Sequence, residues 1–215
     1  MYRLHPLAPP HKGIRNALGQ ASIAIDSIDV GSGESIDHFK ALIRDVATIL
    51  HDHAHQEDHY IFAPAERVQP GLTHECSRSH HRLHQTLDQI SSEALALNEE
   101  STRETIEALA RLFHGFHRDY LDHMMDEEDN IETVLIANFS DEEMMADQGA
   151  IMAEMPFETL LLWFRFIVPA RSIEDNRQVL AGFTAAAPPE AVAAVWDVLR
   201  GSVSSERFIA LTSDL

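Results

Sequence analysis

The sequence predicts an all-α protein: an antiparallel four-helix bundle followed by an appended C-terminal helical subdomain. Three observations predict it. Apolar residues recur three and four apart through long segments, the spacing that lines one face of an α-helix. With 45% apolar residues and only 9 Gly and 9 Pro in 215, the chain has a core to bury and few breaks. After "SDEEMM" the segments shorten and proline becomes frequent, which marks a second unit. The expected division is residues 1–138 for the bundle and 139–215 for the extension.

The first helix is expected over 11–27, just after Pro9 and Pro10. "VGSGES" is a turn, and Ser35 is the expected cap of a second helix running over 35–67. "VQPGLT" ends it, and a third helix follows over 73–98. "STRE", Ser101 to Glu104, reads as a capping box opening a fourth helix that runs to 137. Four long helices with short connections favour antiparallel neighbours. Shorter helices are expected over 141–150, 156–168, 174–184, 189–200 and 204–212, punctuated by Pro156, Pro169 and "PPE". "MPFETLLLWFRFIV" is apolar on nearly all sides. It must be covered, either by the bundle and the remaining helices or by a second copy of the chain in a homodimer.

The charge excludes several functions. A formal net charge of −19 with 16 basic residues disfavours nucleic acid and anionic membrane surfaces as partners. The opening "MYRLHPLAPPHKG" lacks the apolar run of a secretion signal, and "LLLWF" with "FIV" is too short to span a bilayer. The single cysteine, Cys76, rules out an internal disulfide framework and suits a reducing compartment. The expected location is the cytoplasm.

Histidine is unevenly placed. All 14 lie between His5 and His123, and "HDHAHQEDHY" (51–60) alone holds four. The second helix carries the stripe Leu42, Val46, Ile49/Leu50, His53, Glu57, Ile61, so His53 and Glu57 stand where leucine is expected. His51, His55 and His59 fall off that stripe. The fourth helix repeats the pattern with Leu109, Phe113, Phe116, Tyr120, His123, Glu127, Ile131, Val134. Glu128 points about 100° away by the helical period, so Glu127 is favoured and Glu128 stands as the alternative. The third helix turns Cys76, His80, His84 and Leu87 inward, and the first turns His11, Ile14, Leu18 and Ile25.

Five histidines and two glutamates therefore face one core from four helices. A buried carboxylate costs several kcal/mol without a strong partner, and no Lys or Arg shares the seam. Any single His–Glu pair would read as a satisfied core contact. Seven such groups need cations, and metal ions supply them. Imidazole with carboxylate suits iron, manganese or zinc, and seven donors exceed one tetrahedral zinc, so two metals fit the count. The zincin helix motif needs Glu directly after the first His, which "HQEDH" lacks. Ferritin-type centres use Glu-x-x-His pairs, whereas this chain has His-x-x-x-Glu.

These residues resemble the hemerythrin-like (HHE cation-binding) family. The resemblance rests on His11 in "HKGIR", His53 and Glu57 in "HAHQE", His80 and His84 in "HHRLH", and His123 and Glu127 in "HMMDEED", over about 8–138. It implies a four-helix bundle holding two non-haem iron ions with an oxo or hydroxo bridge, able to bind dioxygen. Manganese and zinc suit the same donors. Family members use one or both third-helix histidines, and His81 is a further candidate there. The expected partner is a small ligand, namely dioxygen, nitric oxide or peroxide, for carriage, sensing or stress response. Two other readings stand beside it. One is a di-iron enzyme reducing peroxide or a related substrate, for which no catalytic residue is assigned. The other is a metal-dependent sensor signalling through the C-terminal helices.

Overall fold

The computed structural model describes residues 3–213, which contain helices and turns and no strand. Helix α1 (Ala8–Asp26) starts three residues earlier than expected, with its prolines inside the first turn, where a missing N–H costs nothing. Helix α2 (Gly33–Gln56) is capped by Ser32, whose side chain accepts from the Ser35 amide. Ser35 is not the cap; its hydroxyl turns back onto the Asp29 and Ser32 carbonyls. Helix α3 (Phe62–Val68) continues the direction of α2. The break at "VQPGLT" is built on Gly71 at φ 88° and on the Glu66 carboxylate, which accepts from the Gly71 and Thr73 amides. Helix α4 (His74–Ala96) follows.

Helix α5 (Arg103–Asp126) is capped by Thr102 rather than by the expected Ser101–Glu104 box. Ser101 instead accepts from the Asn98 amide and closes the preceding turn. Helix α6 (Thr133–Asn138) extends α5. The joins α2–α3 and α5–α6 are single wide π-helical turns, Glu57–Ile61 and Glu127–Glu132. Each begins at an inward glutamate. A π turn holds more residues than an α turn, so the inward face moves on along the sequence. Leu135 is buried where Val134 was expected, and Glu57, Ile61 and Ala65 stay in line as Glu127, Ile131 and Leu135 do.

Helices α1, α2, α4 and α5 form a closed ring in which each packs on two others: α1 on α2 and α5, α4 on α2 and α5. Their inward faces make the main apolar core, from Ile14, Phe39 and Leu87 to Phe113, Phe116 and Tyr120. A second apolar cluster of Leu7, Ile61, Phe62, Ala65, Cys76, Ile131, Leu135 and Met144 closes the bundle's far end. The inward His and Glu residues form a polar layer between the two.

The extension consists of α7 (Asp141–Glu154), α8 (Phe157–Ala170), α9 (Ile173–Ala186), α10 (Pro189–Ser202) and α11 (Ser205–Thr212). Ser140 and Glu143 make a reciprocal capping box at the start of α7. Helix α8 is covered on both sides within the chain. Trp163 and Phe166 enter the main core against α1 and α2. Phe164 and Val168 face a third cluster with Leu180, Val195, Leu199 and Leu211. Gly13 allows the close approach of α1 and α8, since a Cβ there would lie 2.7 Å from Ile167 Cγ1. Asn16 donates to the Phe166 carbonyl at 2.9 Å, and Arg165 pairs with Asp45. Of the two expected ways of covering this helix, the fold uses packing within the chain.

Phe166 is fully buried in the bundle's core. Phe166→Ala is expected to lower unfolding free energy by about 3–5 kcal/mol, measured by urea denaturation. A loss below about 1 kcal/mol would mean that α8 does not pack on the bundle in solution.

Candidate metal centre

Six of the seven expected ligands meet in the polar layer. His11, His53, Glu57 and Glu127 form one group of donors and Glu57, His80, His123 and Glu127 a second, the donor atoms of each lying within 4.8 Å of one another. All six residues are at most 4% exposed. The two glutamates belong to both groups, and the distances show how they are shared. Glu57 Oε1 lies 3.5 Å from His11 Nε2 and 3.3 Å from His53 Nε2, while its Oε2 lies 3.2 Å from His80 Nε2. Glu127 Oε2 lies 3.6 Å from His11 Nε2, while its Oε1 lies 3.4 Å from His80 Nε2 and 3.1 Å from His123 Nε2. Each carboxylate thus turns one oxygen to each group, and each group has two imidazole nitrogens and two carboxylate oxygens.

None of these atoms is hydrogen-bonded. The Nε2 atoms of His11, His53, His80 and His123 and all four oxygens of Glu57 and Glu127 are buried and without a partner. Native interiors rarely leave one such atom unsatisfied, and here eight converge. Their separations are those of lone pairs directed at common points between them. The donor set fits two borderline or hard transition-metal ions.

His84 does not join either group. It is half-buried one turn beyond His80, with its ring 4.5 Å from the exposed His51. Of the two expected ligands on α4, only His80 belongs to the groups. His81 is exposed and bonded to Gln85. Glu128 is also outside the groups, with a different task. Its carboxylate accepts from His11 Nδ1 at 2.8 Å and is held by Arg15 at 2.9 Å. That bond fixes the His11 ring with Nε2 toward the centre. Arg15, one turn after His11 on α1, was the residue that sequence reasoning overlooked; its i+4 spacing from His11 was the available signal.

The layer's protonation follows from its charges. Burial depresses the His11 pKa, but the hydrogen bond to Glu128 and the facing Glu57 outweigh it and push it up to about 9. Burial likewise opposes charge on His80, and the facing Glu127 and Glu57 carboxylates push it up to about 10. His53 is dominated by burial, only partly offset by Glu57, and falls to about 4. Burial also works against ionising Glu57, but His53, His11 and His80 hold its carboxyl well below the usual range. Glu127 is lowered too, as His123 and His80 overcome burial and the repulsion of Glu57. Without metal, two imidazolium ions therefore neutralise two carboxylates.

The family model for the hemerythrin HHE cation-binding domain matches residues 4–135. The chain belongs to this family. No curated protein and no solved structure matches it. The matched span of this hemerythrin-family chain contains all six converging residues and ends before α7.

Metal ligation requires neutral imidazole, so loading must displace the protons on His11 and His80. At pH 7, filling both groups is expected to release about two protons per chain, measured by calorimetric titration in buffers of different ionisation enthalpy. Release near zero would contradict this electrostatic account. In the metal-free protein the two raised pKa values give stability that is complete below pH 6.5 and lost as pH rises through about 9 to 10. The melting temperature of the metal-free form should fall over that range more steeply than that of the loaded form.

Proposed function

We propose that this protein is a cytoplasmic non-haem di-iron protein whose centre binds a small uncharged ligand, dioxygen or nitric oxide, with peroxide as the related alternative. The observation that carries the reading is the sharing of Glu57 and Glu127, one oxygen to each group, with all eight donor atoms otherwise unpartnered. In this reading His11 and His53 hold one ion, His80 and His123 hold the other, and the two glutamates bridge them. Four protein donors fill a tetrahedral zinc site but leave a six-coordinate iron open to a small ligand, which favours iron over zinc; manganese fits the donors equally. When bound, the metal pair supplies electrons and open coordination positions for a diatomic.

The chain's own residues select the ligand. Phe116, Tyr120 and Met124 lie on the main-core side and Phe62 and Ile131 on the other, so the surroundings are apolar and favour a neutral molecule over an anion. Tyr120 supplies one polar contact. Its hydroxyl is buried without a partner, and its ring stands edge-on to His123 at 5.7 Å. Burial, with Glu57 and Glu127 nearby, holds its pKa well above the ordinary value, so it stays protonated as a hydrogen-bond donor to a ligand in the centre.

A second reading, sensing through the extension, is favoured by Trp163. This α8 side chain stands 6.3 Å from the His53 ring and donates its indole N–H to Asp52 at 2.7 Å. A shift of His53 on ligand binding would be felt first in α8. We accordingly place the functional division at 138/139, with a metal-binding bundle and an extension that covers and reads it. Dimerisation through the extension would use its outward apolar residues, Met145, Met152, Phe157, Val179 and Ile209. No helix among the described residues is long and apolar enough to cross a membrane. The charge and the single cysteine support the cytoplasm.

The test is metal analysis of the purified protein with its near-ultraviolet absorption, then stopped-flow mixing of the reduced form with dioxygen. The reading expects two irons, the near-ultraviolet bands of a bridged ferric pair, and an adduct that disappears when dioxygen is removed. Rapid irreversible consumption of peroxide would favour the enzyme. A zinc-filled protein without those bands would remove the redox reading altogether.

A further inference from the structure

The histidines of "HDHAHQEDHY" that do not face the centre still require explanation. His55, at the end of α2, and His59, in the π turn that follows, face outward with their rings 4.2 Å apart and His59 Nδ1 donating to the His55 carbonyl. His51 differs. It lies over the groove between α2 and α4, its side chain 46% exposed and its Nε2 3.7 Å from Asp88 Oδ1. Its ring is 4.5 Å from His84, and His84 stacks nearly parallel to His80 at 6.2 Å. The Nε2 of His84 is shielded from water and has no partner. At the floor, His80 Nδ1 lies 3.7 Å from the half-exposed Asp58, and its Nε2 faces both shared glutamates.

We propose that His51, His84 and Asp88 form the entry site through which divalent transition-metal ions pass from solvent to the centre. The proposal rests on the reading of the centre as a metal site. Donors of the same class as the ligands, imidazole and carboxylate, run from water to a ligand without interruption. Several other approaches are less suitable. On the α1/α5 side the Arg15–Glu128 ion pair closes the approach and offers no free donor to a cation. The α1/α2 side is covered by α8 with Trp163, and both ends of the layer are apolar. A transit site must also bind more weakly than its destination, or it would retain the ion. His51 and Asp88, exposed and 3.7 Å apart, satisfy that condition, and the net charge of −19 draws cations toward them.

A transit site changes rates in both directions and leaves the equilibrium unchanged. The experiment mixes the metal-free full-length protein with Co2+ and follows quenching of tryptophan fluorescence, since Trp163 adjoins His53. Equilibrium dialysis gives the number of ions bound, and a chelator gives the release rate. His84→Gln and His51→Gln are expected to slow uptake and release alike, by about ten-fold or more, with two ions still bound; His55→Gln should match the wild type. His51 is exposed, so its variant tests the proposal even if His84→Gln fails to fold. Unchanged rates in the His51 and His84 variants would overturn the entry site. Fewer ions bound by His84→Gln would make His84 a ligand instead. A wild-type protein that binds no Co2+ would remove the metal centre, and the entry site with it.

Discussion

Glu57 and Glu127 are two carboxylates in a layer closed to water, and every ion-pair partner the structure gives them is a histidine. The rest of the molecule answers to that constraint. Bringing two like charges together in an interior costs several kcal/mol per ion after relaxation, so the site is stable only when cations balance them. Without metal, His11 and His80 take protons and do so. Metal ions bound between the same imidazoles would displace those protons.

The surrounding structure keeps that layer in register. Apolar clusters close it above and below, so the donors have no water to turn toward. A π turn begins at each shared glutamate and holds the glutamate and the residues four and eight further on along one line. In a regular α-helix that line would drift by about 40° every four residues. The repeated pattern of His53, Glu57, Ile61 and Ala65 against His123, Glu127, Ile131 and Leu135 gives the centre its near two-fold symmetry. Glu128, fixed by Arg15, holds the ring of His11. Helix α8 seals the α1/α2 face and places Trp163 beside His53, so the extension is part of the bundle's core.

Much of this was legible because helical period is a strong signal. His and Glu at positions where leucine belongs identified His11, His53, Glu57, His80, His123 and Glu127, all of which converge. The same rule placed His84 inward; its Nε2 is shielded from water, but it belongs to neither donor group. A helix face drifts as it rises, and one turn beyond His80 the stripe of α4 has rotated toward the groove with α2, away from both carboxylates. The π turns at Glu57–Ile61 and Glu127–Glu132 left no mark in composition. Caps were misread for a simpler reason. Ser32 and Ser35, or Ser101 and Thr102, offer near-equal hydroxyl acceptors a few residues apart, and the tertiary entry angle of the chain chooses between them.

The central claim is that each shared glutamate serves both ions. Counting metal ions bound per chain, and their affinities, in the full-length protein and in Glu57→Ala tests it most directly. Sharing predicts that this one substitution weakens both ions together, because each group loses one of its two carboxylate oxygens. One ion held as tightly as in the wild type, with the other lost, would make Glu57 a terminal ligand of a single metal and contradict the account.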